Sequence, residues 1–174
     1  FVLSAKRAKK AGFDGVQLHA AHGYLLSEFL SPYMNKRADY YGGNIENRIR
    51  IIIEIFEGIK ELCGKNWPVL IKLQIDDFVK EASSLKPPES IETAKRIAEA
   101  GLDAIEISGG IYESSKELDP SYLKVQTTSE EAYFLPYSKK VKKVIGETPL
   151  ILVGGIRSFN VAQGVVKDGY ADFV

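Results

Sequence analysis

Short apolar runs alternate along this chain with longer segments in which apolar residues recur about every 3.6 positions. The clearest helical stripe lies in Asn44–Leu62 and consists of Ile45, Ile49, Ile52, Phe56 and Ile59. The apolar runs predict five strands, Gly15–His19, Val69–Gln74, Ala104–Ser108, Leu150–Val153 and Ala171–Val174. Apolar strands separated by helices are typical of a parallel sheet covered by helices, so the pattern predicts an α/β fold.

A motif of helix, glycine, polar turn and apolar strand occurs three times, at Ala5–Leu18, Ala94–Ile107 and Ala162–Val174. The glycine of each copy is expected to take the left-handed conformation that ends a helix. A complete (β/α)₈ TIM barrel typically needs about 250 residues, more than this chain has. If the fold is a barrel, the chain would therefore hold only part of it, from strand four through the start of strand eight. An open doubly wound sheet needs only five or six strands, and the pattern alone leaves both folds open.

Two loops without a predicted element, His22–Gly43 and Gly110–Thr128, interrupt the alternation. Long loops of this kind are usually functional in α/β enzymes. The segment Ser129–Ile145 is predicted to be mostly helical, with Pro136 marking a kink or a fresh start. In and after the first loop, four residues are expected to form one charged network: Arg37, Asp39, Glu46 and Arg48.

Composition narrows the classes of function. The chain has 23 basic and 23 acidic residues, so its net charge of zero gives no overall attraction for nucleic acid or an anionic membrane. No apolar window approaches the roughly 20 residues that a membrane span needs, and Phe1–Lys10 lacks the apolar stretch of a secretory signal. The single cysteine, Cys63, excludes an intrachain disulfide and favours a reducing, cytoplasmic location.

The strongest chemical signal is the segment His19-Ala20-Ala21-His22-Gly23-Tyr24, at the end of a predicted strand. In parallel α/β folds the carboxyl ends of the strands carry the active site. The two imidazoles are suited to donate to an anionic or carbonyl oxygen, and Tyr24 to act as a general acid. Two alternatives stay open: histidines bonded only to nearby backbone, or a metal-binding pair, although no third ligand is near in sequence.

Lys72 interrupts the apolar run Val69–Leu73. A cation there must face a barrel interior, a ligand or a buried partner. Alternate residues of a strand share a face, so Lys72 and Gln74 point the same way. The residues allow either an ion pair or a contact with an anion or cofactor, and Glu106 in the next strand is expected to form a structural pair.

The glycines Gly154 and Gly155 join a predicted strand to a helix that starts at Ser158 or Asn160. Glycine permits close approach of the backbone to a ligand, and a helix N-terminus attracts phosphate. In TIM barrels a phosphate often lies after strands seven and eight, and this position strengthens the prediction that the Gly154–Gly155 turn binds phosphate. Ser108-Gly109-Gly110 forms a second turn of this kind.

Three segments together resemble the old yellow enzyme family of flavin oxidoreductases, also called NADH:flavin oxidoreductase / NADPH dehydrogenase. They read AGFDGVQLHAAHGYLLSEFLSP, NKRADYYGGNIENR and LILVGGIRS, and the resemblance extends from about Ala5 to Val174. It implies a TIM barrel that holds non-covalent FMN and is reduced by NAD(P)H. The reduced flavin would then pass a hydride from N5 to the β-carbon of an activated alkene.

The resemblance also implies roles for individual residues at the predicted site. His19 and His22 match the pair that hydrogen-bonds the carbonyl or other activating oxygen of the substrate. Tyr24 matches the tyrosine that protonates the α-carbon. These roles describe an enzyme for small molecules that carry an activated alkene or carbonyl, without a metal.

For the cofactor, Lys72 falls where the family usually has a basic residue near flavin N1 and O2. Gly154 and Gly155 match the turn that helps to hold the FMN phosphate. The family's first three strands and its Gly-Arg phosphate clamp have no counterpart among these residues. We therefore expect residues 1–174 to be the C-terminal part of an FMN-binding barrel domain, with open sheet edges that favour a homo-oligomer or a marginal fold.

Three hypotheses about function follow. The first is an FMN-dependent NAD(P)H oxidoreductase of the ene-reductase type, or part of one. The alternative is an α/β module that binds a phosphorylated ligand without redox activity. The third is a histidine-based metal lyase on a barrel.

Overall fold

Four parallel strands and six α-helices make up the structure, a computed structural model that describes residues 1–174. The strands are β1 (Val16–Ala20), β2 (Val69–Gln74), β3 (Ala104–Ser108) and β4 (Leu150–Leu152). The helices are α1 (Val2–Lys10), α2 (Leu25–Leu30), α3 (Ile45–Cys63), α4 (Pro87–Glu99), α5 (Leu135–Val141) and α6 (Phe159–Lys167).

The order of the strands decides between the two folds that the pattern left open. The sheet runs β1-β2-β3-β4, so every strand pairs in parallel with the next one along the chain. Right-handed crossovers in an unreversed order place all connecting helices on one face, whereas a doubly wound sheet reverses its order. The fold is therefore part of a (β/α)₈ barrel wall, as the barrel prediction required.

The predicted fifth strand, Ala171–Val174, is reduced to a single parallel bridge between Ile151 and Phe173. The N–H of Leu152 donates to the carbonyl of Phe173 at 2.9 Å, so pairing begins along β4. It does not extend into a ladder.

The prediction of loop structure throughout His22–Gly43 was wrong, because this segment contains α2. Leu26 and Leu30 are four positions apart and both are buried, which gives the short helix an apolar face against the core. The second predicted loop, Gly110–Thr128, holds only one turn of 3₁₀-helix at Pro120–Tyr122.

The helix ends follow the local sequence signals closely. Asn44 caps α3, since its side chain accepts a hydrogen bond from the N–H of Asn47 at 3.0 Å. Within the predicted helical segment Ser129–Ile145, Pro136 lies in the first turn of α5 and so marks a fresh start. The expected left-handed glycines are confirmed after α1, α4 and α6, with φ of 93°, 92° and 70° at Gly12, Gly101 and Gly169.

The single charged network expected around the first loop was also wrong. Three separate ion pairs form instead: Arg37–Asp39, Arg48–Glu89 and Glu46–Arg96. Two of them connect α3 to α4, so these charges mainly fasten neighbouring helices.

The two faces of the sheet differ in character. The face toward the helices forms the core with fully buried side chains that include Val69, Ile71, Leu73, Ile105, Ile107, Leu150 and Leu152. The opposite face carries His19, Lys72 and Glu106, side by side in register across β1, β2 and β3, together with Gln17, two residues before His19 on β1. The strands are thus not apolar on both faces, and the polar face is the one that positions the candidate site.

Candidate active site

A row of three residues crosses the polar face of the sheet. Strand register places His19 beside Lys72 and Lys72 beside Glu106. The ammonium of Lys72 forms an ion pair with Glu106, whose other oxygen accepts a hydrogen bond from the side-chain amide of Gln17 at 2.8 Å. The predicted structural pair of Glu106 is therefore confirmed, and it holds the Lys72 cation in place on the strand.

The backbone after β1 gathers the two histidines and the tyrosine. His22 and Gly23 both have positive φ, 65° and 74°, and this turn leads the chain from the strand into α2. The rings of His19 and His22 meet edge to face with centroids 5.2 Å apart. The ring of Tyr24 lies 4.9 Å from that of His19, and its side chain is 61% exposed.

Both histidines favour the neutral form. Burial and the nearby Lys72 lower the pKa of His19, while burial, His19 and Lys72 lower the pKa of His22. Nδ1 of His19 is buried and has no hydrogen-bond partner within the chain. Because buried polar atoms are nearly always paired, this atom points to a ligand with a complementary polar group.

A cavity of about 480 Å³ opens beside these residues at the carboxyl ends of β2, β3 and β4. Its lining includes His22, Lys72, Ser108, Asp119 and Gly154. The volume lies within the usual range of small-molecule sites, and its place in the fold is where parallel sheets bind ligands.

The Gly154–Gly155 turn borders this cavity but is covered by the chain's own side chains. A Cβ on Gly154 would lie 2.9 Å from the ring of Tyr133, and one on Gly155 would lie 2.8 Å from the side chain of Val125. The two glycines therefore make room for a close-packed tyrosine and valine.

The start of α6 at Phe159 agrees with the predicted cap at Ser158. The backbone N–H groups of Arg157 and Ser158 each donate to the carboxylate of Glu131 at 2.8 Å. The helix N-terminus expected to attract phosphate thus holds a carboxylate of the same chain. A phosphate group at this position would have to displace Glu131.

Sequence reasoning gave no side-chain role to Ser108, Asp119 or Glu131, of which Ser108 and Asp119 line the cavity. Ser108 contacts Nε2 of His22, and its place at the end of a strand was the only available signal. Asp119 is 4% exposed and accepts a hydrogen bond from the N–H of Ser121 at 2.9 Å. Asp119 lies in a predicted loop and Glu131 in the predicted helical segment Ser129–Ile145, and in neither case does a local pattern show which distant residues the side chain contacts.

Comparison with known proteins decides the family. A model of the NADH:flavin oxidoreductase / NADH oxidase family matches residues 1–174. The chain is a member of that family. An NADH oxidase from Thermoanaerobacter brockii is 41% identical over 175 residues, which cover 100% of this chain and 26% of the relative. A cinnamate reductase from Clostridium sporogenes is 35% identical over 187 residues, which cover 100% and 27%.

Solved structures agree with this NADH:flavin oxidoreductase assignment. The old yellow enzyme homologue from Zymomonas mobilis superimposes with a TM-score of 0.71 at 27% identity, over 98% of this chain and 44% of that structure. The chain thus spans about a quarter of the two relatives and less than half of this structure.

The residues fit the ring portion of FMN, the flavin that membership of this family implies. A cavity of suitable size and a fixed cation lie together there, since both Lys72 and His22 line the cavity. The phosphate end fits less directly, since Tyr133, Val125 and Glu131 fill the space at the glycine turn and the start of α6.

Two features of the structure bear on a metal site and on a membrane span. No group of three or more histidine, cysteine, aspartate or glutamate side chains is arranged to hold a metal ion, so the lyase hypothesis gains no support. None of the helices combines the length and apolar character needed to cross a membrane.

Proposed function

We propose that the protein containing this chain is an FMN-dependent NAD(P)H oxidoreductase of the ene-reductase type. Its substrate is a small molecule whose double bond is conjugated to a carbonyl or similar group. The observation that carries the proposal is the cluster of His19, His22 and Tyr24 next to Lys72, at the carboxyl ends of the strands. The relative named cinnamate reductase supports this substrate class, because cinnamate has an alkene conjugated to a carboxylate.

His19 and His22 are suited to bind the activating oxygen of the substrate. A neutral imidazole carries one N–H donor, and the lowered pKa values keep both rings neutral near pH 7. Negative charge grows on that oxygen when the conjugated alkene accepts a hydride. Hydrogen bonds to the oxygen therefore stabilise the transition state more than the ground state.

Tyr24 is suited to supply the proton that completes the reduction. Tyr24 is 61% exposed and its ring packs against that of His19, so a substrate held by the histidines would lie within reach of its hydroxyl. A phenol keeps its proton at neutral pH and can give it to a carbanion-like carbon.

Lys72 would hold the ring end of the cofactor, whereas a role of Gly154 and Gly155 at the phosphate end would require Tyr133 and Val125 to move. When bound there, FMN would supply hydride transfer from NAD(P)H to the substrate. The Lys72 ammonium would keep positive charge near the negative charge of the reduced ring. Because Glu106 fixes this ammonium on the strand, its position is set before any ligand arrives.

The test begins with the purified full-length protein. We expect flavin absorbance, bleaching by NADH or NADPH under anaerobic conditions, and recovery of the colour when cinnamate is added. Lys72→Met should weaken FMN binding, whereas Lys80→Met, at an exposed ion pair away from the cavity, should not. A colourless protein that binds only phosphate would favour the non-redox alternative. A flavoprotein that enoates do not reoxidise would contradict the ene-reductase activity.

Two expectations about the whole protein belong to the same proposal. We propose a cytoplasmic location, which fits the free and buried Cys63. We also propose that the 174 residues are the C-terminal part of the FMN-binding barrel domain, without a nucleic acid or membrane as partner. Fractionation of cells that express the full-length protein tests the first proposal.

A further inference from the structure

The hydroxyl of Ser108 lies 2.6 Å from Nε2 of His22, although the two residues are 86 positions apart in the chain. Ser108 is the last residue of β3 and is 5% exposed. His22 lies in the turn after β1 and lines the cavity. The contact therefore joins a buried strand end to a side chain of the proposed active site.

The backbone of His22 is held independently of its ring. Its left-handed conformation is uncommon for a residue other than glycine. Its N–H donates to Oε1 of the fully buried Gln74 at 2.8 Å. The amide nitrogen of Gln74 lies 3.1–3.2 Å from three acceptors, the carbonyls of Asp76 and Gly110 and the carboxylate of Asp77, which fixes the orientation of the amide.

With the backbone fixed, the contact with Ser108 determines which ring nitrogen carries the proton. The hydroxyl of Ser108 makes no other hydrogen bond within the chain. If it accepted a hydrogen bond from Nε2, its own proton would have no acceptor within the chain, and only the cavity that Ser108 lines could supply one. If it donates to Nε2, every group is satisfied and the proton of neutral His22 is on Nδ1.

We propose that Ser108 is a positioning residue that donates to Nε2 of His22 and so makes Nδ1–H the donor toward the substrate's oxygen. The inference rests on the proposed function, since it names how one of the two histidines becomes a donor. In the opposite tautomer, Nδ1 would present a lone pair that repels a carbonyl or carboxylate oxygen.

The charged and titratable groups around His22 make this choice matter. They are His19, Lys72, Glu106 and Asp119. A protonated ring would donate from both nitrogens and need no help from Ser108. Because His19, Lys72 and burial disfavour protonation, the ring is neutral and only one tautomer can donate to a ligand.

The first test is ¹⁵N NMR of the imidazole rings in the full-length protein. His19→Gln and His22→Gln variants assign the signals of the two residues. We expect wild-type His22 to be protonated at Nδ1 near pH 7.5. Ser108→Ala should produce the Nε2–H tautomer or a mixture, and Ser108→Thr should restore the wild-type spectrum. Ser90→Ala is the matched control, because Ser90 is also buried and its hydroxyl bonds only to the backbone of α4.

The second readout separates this role from a purely structural one. Ser108→Ala should raise KM for cinnamate by between about 2-fold and 12-fold, the range for one lost hydrogen bond. Ser108→Thr should return KM to the wild-type value, and Ser90→Ala, which lies outside the site, should leave KM unchanged.

The outcomes distinguish the two proposals. A wild-type His22 protonated at Nε2, or a tautomer insensitive to Ser108→Ala, overturns the role of Ser108 even if the enzyme reduces cinnamate. The expected tautomer shift without a change in KM overturns its role in substrate binding. If the tautomer shift is observed but the protein does not reduce any enoate, the Ser108–His22 interaction is supported and the proposed ene-reductase function is contradicted.

Discussion

The carboxylate of Glu131 accepts hydrogen bonds from both the backbone N–H and the hydroxyl of Ser158, at 2.8 and 2.6 Å. It also accepts from the N–H of Arg157 at 2.8 Å. These bonds satisfy N–H groups at the start of α6 and place a negative charge at the positive end of the helix dipole. Glu131 thereby ties the segment before α5 to the turn after β4.

Replacing this carboxylate should lower thermal stability and change its dependence on pH. The hydroxyl of Ser158 and the N–H groups of Arg157 and Ser158 lower the pKa of Glu131. A carboxyl with a lowered pKa stabilises the folded state above its ordinary value of 4.5, and this contribution is lost as the pH falls through the folded-state pKa.

We therefore expect Glu131→Gln to have a lower Tm than the wild type at pH 7. Near pH 4 we expect the difference in Tm between the two proteins to be smaller. Glu147→Gln, at an exposed residue outside the contacts of Glu131, is the control. Differential scanning calorimetry across this pH range measures both. Equal losses of Tm at the two pH values would contradict the capping role.

Tyr24→Phe in the full-length protein should slow alkene reduction by about 10²–10⁴-fold, because it removes the proposed general acid. Reduction of FMN by NAD(P)H should be unaffected, since that half-reaction needs no proton from Tyr24. Stopped-flow spectroscopy separates the two half-reactions. Tyr40→Phe, at a residue 77% exposed and outside the cluster, serves as control. An unchanged oxidative rate would exclude Tyr24 as the acid.

His19→Gln and His22→Gln should each weaken binding of cinnamate. The loss of one hydrogen bond, worth about 0.5–1.5 kcal/mol, corresponds to a roughly 2-fold to 12-fold rise in Kd. Titration monitored by the flavin spectrum gives the affinities. If both variants bind as tightly as wild type, the pair has a structural role only.

The same histidines should make stability depend on pH just below neutrality. Burial is the first cause of both lowered pKa values, so the unfolded chain binds protons more readily than the folded one. The contribution of the neutral rings to the free energy of unfolding is fully present above about pH 6.5, the ordinary pKa of histidine. It is lost as the pH falls through the folded-state pKa values. Urea unfolding at pH 7.5 and 5.5 should show this loss in the wild type and less of it in the double His→Gln variant. Parallel curves for the two proteins would count against the inference.

The isolated 174-residue polypeptide should associate through its sheet edges or fold only marginally. Its accessible surface area is 9412 Å², whereas a typical folded monomer of the same mass exposes roughly 8,500 Å². Strand β1 has a neighbour on one side only, so its other edge offers unpaired N–H and C=O groups. Size-exclusion chromatography and FMN titration of this polypeptide are the measurements. A stable monomer that binds FMN tightly and turns over would overturn the prediction.

The sequence by itself determined most of the fold. Helical spacing and strand composition are local properties, so α3 and the first four strands were predicted within a few residues of their observed bounds. The chemistry-bearing segment from His19 to Tyr24 was also evident, because it follows directly on an apolar strand. The resemblance to the flavin oxidoreductases rested on contiguous motifs, and the family match confirms it.

Only the tertiary structure decided how distant residues meet. The unreversed strand order excluded the doubly wound sheet, and strand order depends on pairing between segments that no local pattern encodes. The contacts of Ser108 with His22 and of Glu131 with Ser158 join residues 86 and 27 positions apart. Such contacts form where packing of the core brings strand ends and loops together. The periodicity of the sequence therefore predicts the helices and strands, whereas packing determines which distant side chains contact one another.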